Sequence, residues 1–200
     1  RQEYALGSAL WLNKTSANCG DEVDIHASLF HDKGSPNETA PISIHALRIG
    51  WYNGSGARDV WSTGPLHLKT YPVKKPKDNL RIVETKWPVT ATLHIGSDWT
   101  PGFYLIVTEG LSGNIENAAP LVIHAPVGTS KILLMHSFMT WNVYNSFGGY
   151  SGYIGPGDSV ISRRDNRSRV VSLDRPIDGS GGYSIHRDAV SMVQFLEKNG

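Results

Sequence analysis

The chain has 200 residues, 40% apolar and 18% charged, and its 19 Lys plus Arg nearly balance 18 Asp plus Glu for a net charge of +1. That length fits one or two domains, the composition supports a packed core, and the balanced charge offers no global field to gather nucleic acid or anionic lipid. No apolar run approaches ~18 residues, so no membrane-spanning helix is expected, and the lone Cys19 excludes an internal disulfide or a CxxC motif.

Up to residue 125 the chain reads as short strands. Residues 22–29 alternate polar and apolar after a turn at 18–21, the period of a half-buried strand. Residues 42–49 alternate again and run into Asn53-Gly54, a tight-turn signal. A short strand is expected at 58–61. Residues 69–79 carry Pro and a cluster of Lys, and read as an exposed loop. Further strands fall at 91–95, 103–108 and 121–124. Strands spaced by turn residues without a helical period predict a mainly β protein, with an antiparallel, Ig-like β-sandwich over 1–125.

The character changes at 125–130, where a domain boundary is expected. Residues 131–135 are a short apolar run, predicted as a strand buried on both faces. Residues 140–153 are dense in aromatics and glycine, neither clean helix nor clean strand. A charged turn at 163–169 leads to a second strand at 170–173. After a flexible 178–182, Ile185, Ala189, Val193 and Leu196 recur at helical spacing. Two strands and one helix cannot bury both faces of a sheet. Residues 126–200 therefore either dock on the sandwich or begin a longer α/β domain.

The chemistry offered is sparse. HExxH, GxSxG, P-loop and GxGxxG motifs are absent. His136 follows the first strand of the second segment, and with Trp141 and Tyr144 it falls where open α/β sheets place ligands. The aromatic-glycine stretch 141–153 can line a small dry pocket or serve as core between domains. N-x-S/T sequons at Asn13, Asn37, Asn53 and Asn166 suggest a secreted glycoprotein, a cytoplasmic setting being the alternative. Six Trp and eight Tyr on a sandwich leave a carbohydrate-binding module open. Lys69, Lys74, Lys75 and Lys77 cluster in a Pro-bearing loop without a base-stacking surface, so no nucleic-acid partner is expected.

Two stretches resemble one family. The first is RIGWYNGSGARDVW over 48–61, with Trp87-Pro88 and DWTPGFYL over 98–105. The second is TWNVYN over 140–145, then Gly148-Gly149, LDRP over 173–176 and FLEKNG over 195–200. In this order they are similar to the large (beta) subunit family of N,N-dimethylformamidase, in which an RxGWYGGxGAR sandwich precedes a catalytic domain opening with TWxAYNxWGG. Asn53, Val143 and Phe147 differ from that pattern. The resemblance implies a glutamine-amidotransferase-like α/β domain, incomplete in this chain, and a ferric iron held by two tyrosines and a glutamate. It carries Tyr144 over as one ligand and Tyr183, after the LDRP motif, as the second. The glutamate is expected beyond Gly200, on a second polypeptide or a C-terminal remainder that completes the domain. His136, Trp141 and Asn145 stand as the candidate catalytic residues. The implied activity is hydrolysis of a small amide C–N bond, with this chain inactive alone. A non-catalytic relative of the same fold is the remaining alternative.

Overall fold

The computed structural model describes residues 7–30, 39–110, 112–128 and 131–200, the side chains of Tyr183 and Ser184 lying outside that description. Among the described residues eight strands form two sheets. β1 (Gly7–Leu12), β3 (Glu22–Phe30) and β6 (Ala91–His94) make one, in the order β1-β3-β6. β2 (Ser16–Ala17), β4 (Thr39–Ile49), β5 (Ala57–Lys69), β7 (Gly102–Glu109) and β8 (Ile115–Ile123) make the other, in the order β2-β8-β7-β4-β5. All pairings are antiparallel except β2 with β8.

The alternation in sequence sets the register. Val23, Ile25, Ala27 and Leu29 of β3 meet Ile42, Ile44 and Ala46 of β4 in a core between the facing sheets. One-residue shifts would turn these side chains to solvent. β7 is apolar at every position from Phe103 to Val107 because both its faces are covered: Tyr104 and Ile106 point into that core, and Phe103, Leu105 and Val107 point the other way. The hairpin between β4 and β5 carries Asn53 in the left-handed region at φ 56°, as the Asn-Gly signal requires.

The C-terminal segment docks on that outer face. It contains α1 (Phe138–Tyr144), α2 (Val160–Asp165), α3 (Gly179–Ser184), a wide π turn (Ile185–Val190) and α4 (Ser191–Asn199). Trp141, Ile185, Ala189 and Val193 pack with Ile49, Phe103, Leu105 and Val107. The 48–58 motif grips α4: Arg48 bonds Glu197 at 2.7 Å, Lys198 lies 4.5 Å from the Trp51 ring centre, and Gln194 donates to the Gly56 carbonyl.

Three sequence expectations are corrected. No strand forms at 131–135 or 170–173. Ile132, Leu133 and Met135 stand 63%, 93% and 87% exposed, and residues 131–136 make no backbone-to-backbone hydrogen bond among the described residues. A strand exists only by pairing, and none of the described residues pairs with this run. The charged turn at 163–169 gives way to the end of α2, whose last turn holds Arg163 and Arg164. Residues 179–182 form the first turns of α3, because the Asp178 carboxylate accepts from the Ser180 and Gly181 amides and caps a stretch of poor intrinsic propensity.

Candidate functional site

The site is built around the end of α1. Asn145 is fully buried, and its amide is spent within the segment: Nδ2 donates to the Pro176 carbonyl at 2.8 Å, and Oδ1 accepts from the Phe147 and Asp178 amides. Arg175, 1% exposed, donates from Nη1 to the carbonyls of Phe147 and Tyr150 and from Nη2 to those of Asn142 and Asn145. The Asp178 carboxylate accepts from Ser146 Oγ at 2.6 Å and from Ser180 Oγ. Burial pushes the Asp178 pKa up, but the hydrogen bonds from Ser146 and Ser180 outweigh it and hold the acid below its usual range.

These anchors leave Tyr144 projecting, 51% exposed, with its ring centre 4.6 Å from that of Tyr153. The Tyr144 hydroxyl beside it raises the Tyr153 pKa. Tyr144 lines a cleft of about 610 Å³ with His136, Thr140, Trp141, Ser180 and Met192. His136 stacks on Phe103, ring centres 4.4 Å apart, and its burial lowers its pKa below 6.5. Trp141 is buried against Phe103 and Phe138 and forms the cleft floor. Arg187 and Asp188, paired through two bonds, face the same cleft from the π turn. An apolar groove of about 820 Å³ lies next to it, sharing His136 and Leu134.

The structure thus brings His136, Trp141 and Tyr144 together and sets Asn145 beneath them as a buried anchor. Tyr183 belongs to α3, its side chain outside the described residues. Of the sequons, Asn13 and Asn53 are exposed, Asn166 is half-buried and donates to the Pro156 carbonyl, and Asn37 lies outside the described residues. Sequence reasoning missed Tyr153 as a partner of Tyr144, and the roles of Arg175 and Asp178. An acid just before a Gly-Ser run is an N-cap signal that could have found Asp178. None of the six Trp lies open on the surface: Trp11, Trp87 and Trp141 are buried, the others half-buried.

A ferric ion is a hard, highly charged cation that favours anionic oxygen. Among the described residues no group of three or more His, Cys, Asp or Glu is arranged to hold a metal ion. The Tyr144 phenol at the cleft fits such an ion as one donor, and the described residues supply no complete set. Comparison with known proteins adds the following. A family model described as N,N-dimethylformamidase beta subunit-like, C-terminal, matches residues 43–200. No curated protein matches the chain. Among solved structures, a Pseudomonas fluorescens alkylpurine DNA glycosylase, AlkC, bound to DNA containing an abasic site analog is similar at 13% identity and TM-score 0.39, over 60% of this chain and 30% of that one. A type I cohesin–dockerin complex from Clostridium thermocellum is similar at 14% identity and TM-score 0.25, over 59% of this chain and 99% of that one. The chain spans only 30% of the glycosylase chain, and at these scores neither likeness bears on the site.

Proposed function

The chain belongs to the N,N-dimethylformamidase beta subunit-like family, and from that premise we propose that it forms part of an iron-dependent amidohydrolase whose cleft at Tyr144 takes a small amide. The observation that carries this reading is the placement of Tyr144, the tyrosine of the TWNVYN motif. It stands half-exposed at the cleft while every backbone segment around it is tied down. Tyr144 would hold the iron, with Tyr183 as the second phenolate. Bound there, iron would supply the Lewis acidity that polarises an amide carbonyl.

The chain's own residues do the rest. Trp141, Leu134, Ala189 and Met192 give the cleft apolar walls, which suit the alkyl substituents of an amide and limit bulk water. His136 is neutral at pH 7, because burial disfavours its cation, and a neutral imidazole can take a proton from an attacking water. Thr140 and Ser137 offer hydroxyls along the same wall.

The apolar, exposed run at 131–135, without a backbone partner among the described residues, supports a further reading. It would become a strand of an amidotransferase-like sheet only on pairing with a second polypeptide or with further chain that also brings the glutamate. The beta-subunit character of the family fits an assembly of more than one polypeptide. A secreted protein glycosylated at exposed Asn53 fits the sequons, and an intact mass of the natural protein tests that point. The main test is a ferric titration of the assembled protein, followed through the visible charge-transfer band of iron-bound tyrosinate. The band and amide hydrolysis should both be present in the wild type and both lost in Tyr144→Phe. A wild type without the band, or a Tyr144→Phe protein that keeps it, overturns the reading.

A further inference from the structure

We propose that Arg175 is the positioning residue of the cleft: its buried guanidinium fixes the backbone on both sides of Tyr144 and so sets where the Tyr144 phenol stands. The proposal rests on the reading that Tyr144 belongs to the functional centre. The geometry comes first. Nη1 reaches the carbonyls of Phe147 and Tyr150 at 3.1 and 2.9 Å, and Nη2 those of Asn142 and Asn145 at 3.2 and 3.1 Å. These four carbonyls bracket Tyr144.

The last carbonyls of a helix have no donor of their own and carry the negative end of its dipole. α1 has no basic residue in its last turn to meet them. Arg175 meets them from a stretch distant in sequence. A planar guanidinium presents five donors in a fixed fork and can serve four carbonyls at once, whereas the Lys ammonium has only three donors.

Among the described residues no carboxylate bonds to Arg175. Asp178 acts on it only through space, and burial lowers its pKa to about 10, so it keeps its charge at neutral pH. A buried charge bonded to carbonyls alone, its Nε left without a partner among the described residues, is a costly way to fill space, and an apolar side chain of similar volume would serve packing better. What the guanidinium provides beyond packing is a fixed path for residues 142–150. Asn145 and Asp178 hold the α3 side of the same path. The part left free is the Tyr144 ring, resting against Tyr153.

The test compares wild type with Arg175→Lys and Arg175→Gln, first without metal. Tyrosine ring carbons are followed by NMR, with Tyr144 assigned through Tyr144→Phe. In wild type Tyr144 should give one sharp signal. In Arg175→Gln that signal should broaden or double, while the melting transition stays cooperative. Arg175→Lys should fall between. An unchanged Tyr144 signal in both variants overturns the proposal. Should neither variant fold, the wild type still decides: four carbonyl bonds should give hindered, slowly exchanging Arg175 Nη protons, and freely averaged ones overturn the proposal. Ferric titration then adds a separate arm, with apparent iron affinity expected to fall at least tenfold in Arg175→Gln. Absence of the band in wild type counts against the proposed function and leaves the metal-free result standing on its own.

Discussion

His136 and Asp178 lie close to one cleft and respond to pH by different logic. For His136 burial disfavours the cation, so the folded pKa lies below 6.5. Above pH 6.5 the ring is neutral in both folded and unfolded chains and costs nothing. As pH falls below that value the unfolded chain takes the proton first, and stability is lost through the folded pKa. The ring-proton titration of His136 should therefore centre below 6.5. His136→Asn should show a smaller loss of melting temperature between pH 7 and 5 than wild type. A midpoint above 6.5 would contradict the burial argument. Asp178 is held below 3.8, so its contribution is present above that pH and is lost as pH falls through the folded pKa. Asp178 also caps α3. Asp178→Ala should cost about 1–2 kcal/mol in chemical denaturation at pH 7, and the gap from wild type should narrow near pH 2.

Between elements, α3 approaches α1 closely, and a glycine permits it. A Cβ on Gly181 would come within 2.7 Å of the Trp141 carbonyl and 2.9 Å of Ile177, whereas one on Gly182 would meet nothing within 4 Å. Helix propensity favours Ala over Gly by roughly 1 kcal/mol at either position, and overpacking costs about 1–3 kcal/mol. Gly182→Ala should thus raise the melting temperature and Gly181→Ala should lower it. The same sign for both would refute the close-approach account. This level also shows what the sequence could disclose. The alternating runs located β3, β4 and β6, because one covered face writes period two into the chain, and β7 showed as a continuous apolar run because both its faces are covered. The reach of β5 to Lys69 was hidden by Gly64 and Pro65, residues that argue against a strand. β5 is an edge strand, where proline is tolerated. α1 is two turns long and is held by Trp141 against Phe103 and His136, so tertiary contacts and not periodicity make it. The motif tyrosine Tyr144 was legible. Its neighbour Tyr153 was not, because their meeting depends on the path of the intervening chain. Arg175 was not legible as an anchor either, because backbone carbonyls, its partners, leave no mark in a sequence.

Across the whole molecule the two halves are unequal in how well they close. The two facing sheets bury a continuous core, and the outer face of the larger sheet is covered by α1, the π turn and α4. Beyond that cover, apolar side chains accumulate in the open. Ile132, Leu133 and Met135 lie on one irregular run, with Met192 and Phe195 exposed on α4. Scattered apolar residues on a surface need no explanation, but a patch of them beside backbone without a partner among the described residues is a template for association. The chain alone should therefore associate weakly in proportion to its concentration, as read by sedimentation velocity. Leu133→Glu should reduce that association. It should leave the melting temperature within about 1 °C, since a side chain this exposed contributes little burial to lose. The same substitution should weaken assembly with whatever polypeptide completes the sheet, because it places a charge where a strand must be covered. An unchanged sedimentation profile in Leu133→Glu would move the sticky surface away from 131–135, leaving the α4 residues Met192 and Phe195 as the patch to substitute next.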